Sequence, residues 1–70
     1  MIMHPIRLNE LSTEKLKSTV EKAPLIMIPL GTTEWHAGHL PLGVDTLLSQ
    51  AVCDEVSART RCVVAPALSW

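Results

Sequence analysis

The run Leu25-Ile26-Met27-Ile28-Pro29-Leu30, closed by Gly31, is the stretch on which the fold turns. An apolar run of this length without alternation is the pattern of a strand covered on both faces, and Gly31 supplies the turn residue that ends it. Pro29 has no N–H to give to a ladder, so it belongs near the end of pairing or on an unpaired side. A second apolar run, Cys62 to Leu68, is interrupted by Pro66. Between the two runs a helix is expected from about Thr46 to Arg59, with Leu47, Leu48, Ala51, Val52, Val56 and Ala58 on a broad apolar arc. Glu55 and Arg59 fall inside that arc four positions apart, the spacing of an ion pair at a helix end.

Strand, crossover helix and strand make a βαβ unit, expected to be right-handed with its strands parallel. Upstream, Ser12 suits a helix N-cap, and Leu11 and Leu16 occupy the two positions of a hydrophobic staple. A helix from about Thr13 to Ala23 follows, with Leu16, Val20 and Ala23 along one side, and Pro24 stops it. The fold class is therefore α/β, as the amino-terminal α-β-α-β portion of a mainly parallel, helix-covered sheet. No boundary divides residues 1–70. Two parallel strands would leave two open edges, and seventy residues rarely bury enough apolar surface to stand alone. An incomplete domain is the expectation.

Composition narrows the function. The chain is 47% hydrophobic but has no Phe or Tyr, so its apolar content is aliphatic, as in buried parallel sheets. A net charge of −1, spread without long runs, gives no footprint for nucleic acid or for an anionic membrane. Cys53 and Cys62 lack a Cys-x-x-Cys spacing and a secretory signal, which reads as buried free thiols in a reducing compartment. The opening MIMHPIRLNEL has no signal-peptide core, and no apolar stretch is long enough to span a bilayer. A cytoplasmic location is expected.

The chemistry-bearing residues cluster in Gly31–Thr46, GTTEWHAGHLPLGVDT, beyond the carboxyl end of the first strand, where open α/β sheets place their ligands. Glu34 and His36 are two apart and project alike if the chain stays extended. His39 follows past Ala37 and Gly38, and Asp45 returns toward the same point if Gly43 bends the loop. Carboxylate with imidazole suits zinc, manganese, cobalt or iron, and a bridging carboxylate is a common device in paired-metal hydrolases. Plainer roles stand beside this one. Asp45 directly before TLLSQAV has the look of an N-cap, His36 and His39 suit surface or hydrogen-bonded positions, Glu34 a solvated loop, and Trp35 simple packing. Thr32 and Thr33 after Gly31 do not complete a phosphate-loop pattern.

PLGTTEWHAGHLPLGVDTLL resembles the hallmark segment of the creatininase family, close to Pro-x-Gly-Ser-x-Glu-x-His-Gly-x-His-Leu-Pro-x-Gly-Thr-Asp-Thr. Pro29, Gly31, Glu34, His36, His39, Leu40, Pro41, Gly43, Asp45 and Thr46 keep that pattern, and Thr32, Ala37 and Val44 depart from it. The resemblance implies a dinuclear amidohydrolase, acting on small-molecule amides or cyclic amides and oligomeric when complete. It implies two divalent metals, zinc or manganese foremost, with Glu34 on one, His36 on the other and Asp45 bridging. His39 would support these ligands or face the substrate. The family draws a further His and Glu from later in a longer chain, so the 70-residue chain is expected to be inactive by itself. The rival expectation is a non-catalytic piece or assembly module that keeps the signature without a complete metal site.

Overall fold

The computed structural model describes residues 3–35 and 38–70. A short strand β1 (Ile6–Arg7) leads through a 3-10 turn (Leu8–Glu10) into helix α1 (Thr13–Lys22). Strands β2 (Ile26–Met27) and β3 (Leu30–Gly31), helix α2 (Val44–Thr60), and strands β4 (Val63–Val64) and β5 (Leu68–Ser69) follow. Pairing is parallel throughout: β4 lies between β1 and β2, with Ile6 and Ile26 both opposite Val63, and β3 pairs with β5, Leu30 opposite Leu68. The α/β class and the parallel register follow the expectation from the sequence. Each apolar run, however, is two short strands separated at a proline. Pro29 is fully buried between β2 and β3, and its carbonyl accepts from the Leu68 N–H at 2.9 Å. The residue that cannot donate is kept in the sheet as an acceptor only.

Helix α1 forms as its local signals require. Ser12 is the N-cap, its hydroxyl accepting from the Lys15 N–H at 3.1 Å, and the Ala23 N–H closes the last turn on Thr19. Leu16, Val20 and Ala23 are the partly covered side, while Glu14, Lys15, Lys17 and Ser18 are exposed. Strand β1 was not expected. It is tied to α2 by Arg7, whose guanidinium donates to Asp54 Oδ2 at 3.1 Å. That hydrogen bond, and then the charge of Asp54, raise the Arg7 pKa above its ordinary value.

Most of the apolar arc of helix α2 faces solvent: Leu47, Leu48, Ala51, Val52 and Val56 are exposed, whereas Ala58 is buried. The covered side runs through Thr46, Ser49, Cys53 and Ser57, a stripe of small and polar residues at helical spacing. The reason is the hydrogen bonding of the strands beneath. Ser49 Oγ accepts from the Leu30 N–H at 3.2 Å. Fully buried Ser57 accepts from the Ile6 N–H at 2.8 Å and donates to the Cys62 carbonyl at 2.6 Å. A leucine in either place would strand those backbone groups without partners. Glu55 and Arg59 do pair, at 2.8 Å, on the solvent side.

The core is correspondingly small, built on Val63, Val64, Ala58 and Pro29. Leu25, Ile26, Ile28 and Leu30 remain exposed, so within these residues the first apolar run is covered on only some sides, as an incomplete domain would have it. Among the described residues, β2 and β3 each have a strand neighbour on one side only, and α2 turns its small side to them. The molecule measures 44 × 27 × 17 Å, with a radius of gyration of 13.8 Å. A compact domain of this length would have about 11 Å. No helix among the described residues is long and apolar enough to cross a membrane. Cys53 and Cys62 remain free thiols, partly rather than fully buried.

Candidate metal centre

The β3–β5 pair continues past its strand limits. The Trp70 N–H donates to the Gly31 carbonyl at 3.2 Å, and the Thr33 N–H donates to the Trp70 carbonyl. This carries the chain in register to the threshold of the Gly31–Thr46 loop. The loop is closed at its base by the Glu34 N–H on the Leu42 carbonyl at 3.0 Å, and a turn with the Val44 N–H on Pro41 at 3.2 Å feeds it into α2. The two ends of the loop therefore meet beyond the carboxyl ends of parallel strands.

Asp45 is not the N-cap. Gly43 occupies that position without a side-chain cap bond, and α2 begins at Val44, two residues earlier than the apolar pattern indicates. The Leu47 N–H already bonds the Gly43 carbonyl at 2.9 Å, so Asp45 is inside the first turn. Asp45 Oδ2 accepts from Thr32 Oγ1 at 3.0 Å, joining the head of α2 to the end of β3. Beside it, Thr46 Oγ1 donates to Ser69 Oγ at 3.0 Å, and Ser69 lies 3.1 Å from Thr33 Oγ1. Four hydroxyls thus clamp β3, β5 and α2 around Asp45.

Glu34 is exposed at the loop base and Asp45 is half-buried, and neither carboxylate is without a partner. His39 is exposed in the turn at the loop's far side, as are Trp35 before it and Trp70 at the end of the β5 segment. His36 lies outside the described residues, and with it the expected same-side projection of Glu34 and His36. Among the described residues no three His, Cys, Asp or Glu side chains gather closely enough to hold a metal ion. The structure therefore brings Asp45 and the backbone of Glu34 to one end of the sheet. Thr32, Thr33, Thr46 and Ser69 are additions that the sequence reading did not assign. The available signal was a pair of hydroxyl residues following the strand-ending glycine.

Comparison with known proteins bears on this loop. The family model described as Creatininase, creatinine amidohydrolase, matches residues 9–70. A mycofactocin precursor peptide peptidase from Mycobacterium tuberculosis (strain CDC 1551 / Oshkosh) is 46% identical over 52 residues, covering 74% of this chain and 20% of the relative. Creatinine amidohydrolase from Pseudomonas putida is 39% identical over 46 residues, 66% of this chain and 18% of the relative. A 3-dehydro-scyllo-inosose hydrolase from Thermotoga maritima is 33% identical over 55 residues, 79% of this chain and 18% of the relative. The chain spans about a fifth of the length of these curated relatives. No solved structure matches it significantly. The family match runs from the 3-10 turn through both helices and the loop to Trp70, and the relatives it resembles are hydrolases; the chain belongs to the creatininase family.

Proposed function

We propose that this chain supplies part of the metal site of a hydrolase that cleaves a carbon–nitrogen bond in an amide or cyclic amide. The observation that carries the reading is the placement of Asp45: inside the first turn of α2 rather than at its N-cap, and held by Thr32 beyond the carboxyl ends of parallel strands. The donor set fits divalent zinc or manganese, since Gly31–Thr46 offers carboxylates and imidazoles and no thiolate. In this reading Glu34 holds one ion, His36 the other, and Asp45 spans both. When bound, such a pair supplies a water acidic enough to attack at neutral pH and an electrophilic contact for the amide carbonyl. The chain's own residues hold the frame: the Glu34–Leu42 hydrogen bond closes the loop, and the Thr32–Asp45 bond fixes the shared carboxylate. His39 supports these ligands or faces the substrate. The printed names of the relatives offer a creatinine-like ring and a peptide as substrate classes.

Metal analysis of Glu34→Gln, His36→Ala and Asp45→Asn tests this. Glu34→Gln and His36→Ala each deplete a different ion, and Asp45→Asn loses at least one. Equal loss of the same single ion in the first two contradicts the assignment. The rival reading is a non-catalytic module that carries the family signature. Dialysis against zinc or manganese of a protein in which these residues are joined to the rest of the family domain separates the two, because the module reading expects no retained ion.

A further inference from the structure

We infer that the cleft between α1 and the turn from α2 into β4 binds a small diphosphate-bearing molecule. Its walls are Lys15, Ser18, Thr19 and Lys22 of α1, with Ile6 of β1 and Arg61 opposite, and its volume is about 270 Å³. No acidic residue lines it. The four helix residues fall at positions i, i+3, i+4 and i+7, so they share one face of α1. Lys15 and Lys22 stand two turns apart, roughly 10 Å along the axis, close enough for long side chains to converge on neighbouring phosphates. The charges along α1 are sorted. Lys17 has Glu14 three positions before it and Glu21 four after, the spacing of ion pairs on a solvated face. Lys15 has Leu11, Ser12, Ser18 and Thr19 at those separations, and Lys22 has Ser18, Thr19, Leu25 and Ile26, so no acidic neighbour offsets either charge. Among the described residues no carboxylate pairs with Lys15, Lys22 or Arg61. Lys22 in the last turn is favoured by the helix dipole, but Lys15 in the first turn is opposed by it and gains from an anion alongside. The Ser18 and Thr19 hydroxyls both donate to the Lys15 carbonyl, at 3.1 and 2.7 Å, occupying an acceptor that would otherwise repel an anion on this side. Arg61 supplies the third charge at a conformational cost. It is the one non-glycine residue with positive φ among the described residues, at a helix-ending position that favours glycine. Its Nη1 donates to the His4 carbonyl at 2.9 Å, which anchors the guanidinium and leaves the other donors of its fork to meet phosphate oxygens.

The test titrates the 70-residue chain with inorganic pyrophosphate at low ionic strength, read by amide chemical shifts and by calorimetry. Saturable binding is expected, with the shifts centred on Lys15, Ser18, Thr19, Lys22 and Arg61. Lys15→Gln and Lys22→Gln keep helix propensity, and Arg61→Asn tolerates the left-handed turn. Each weakens binding about tenfold, the loss of one charge-assisted contact. Lys17→Gln removes the same charge from the neighbouring side of α1 and changes affinity by less than about twofold, as expected for a screened charge outside the cleft. Lys15→Arg and Lys22→Arg keep binding, which separates loss of charge from loss of fold. Where the shorter chain lacks helical circular dichroism, the same series is run in a protein that joins these residues to the rest of the family domain. Absence of saturable shifts in the folded protein, or an equal loss in Lys17→Gln, overturns the inference. Malonate bound as tightly as pyrophosphate overturns the assignment to a diphosphate.

Discussion

Gly31 and Thr46 meet backbone against backbone: a Cβ built on Gly31 would lie 2.5 Å from both the Thr46 Cα and its amide nitrogen. Backbone cannot swing aside as a long side chain can, so Gly31→Ala must part β3 from the head of α2. Overpacking of this kind costs about 1–3 kcal/mol, and here it would also separate Thr32 from Asp45. Gly43→Ala is the control, because nothing lies within 4 Å of its Cβ and its φ is −94°. Denaturant unfolding of the two variants should show a loss in Gly31→Ala only. Equal midpoints would mean that the close approach is absent in solution.

Ser57 is the second point of sensitivity. Its hydroxyl serves the Ile6 N–H and the Cys62 carbonyl together, and it has no exposed surface. Ser57→Ala leaves both groups without that partner, at an expected cost of about 1–3 kcal/mol. Hydrogen exchange gives a local check, since the Ile6 amide should lose protection more than amides in α1. Uniform acceleration along the chain would count against a local cause.

The solvent side of α2 should make the chain associate. Leu47, Leu48, Val52 and Val56 form an exposed apolar surface on one helix, and surfaces of this kind seek a partner. Sizing of the chain is expected to show concentration-dependent assembly, and Leu48→Glu with Val52→Lys is expected to reduce it without loss of helical circular dichroism. A monomer at all concentrations would mean that this side is covered in some other way.

Arg61 ends α2 in the left-handed region, with φ 66° and ψ 18°. Its N–H bonds Ser57 at 2.8 Å, and its guanidinium reaches the His4 carbonyl at 2.9 Å. Glycine takes this conformation without strain, whereas a β-branched residue resists it. Arg61→Val should therefore melt below Arg61→Gly, by about 1–2 kcal/mol at the unfolding midpoint. The reverse order would show that the left-handed backbone conformation does not set the preference.

The parts of the fold that were legible are those whose causes are local. Ser12, the Leu16–Val20–Ala23 stripe and Pro24 define α1 within a dozen residues, and the structure follows them. Strand β1 was not legible because Ile6–Arg7 is a strand only by virtue of Val63–Val64 beside it. Apolar residues mark a covered helix face when the neighbouring surface is made of side chains. Under α2 the neighbours include strand amides, and Ser49 and Ser57 answer them, while most of the apolar arc faces solvent. Asp45 was legible as a residue of interest, yet its N-cap reading failed because Gly43 opens the helix earlier. Thr32 stood out only as one of two hydroxyl residues after Gly31, since its partner is 13 positions away across the end of the sheet.

The strand order β1-β4-β2 has a consequence for the moment at which the sheet comes into being. Both flanking strands depend on β4, which emerges from the ribosome after α1 and α2 are complete. Until Val63 and Val64 appear, Ile6 and Ile26 have no ladder to join, whatever the local propensities of their neighbours. The closure of two long loops onto one late dipeptide makes this a slow, high-contact-order step. A nascent chain paused before Val63 would therefore hold helices without a sheet, with its aliphatic stretches open to chaperones, and Val63→Gly would delay folding more than any change in α1.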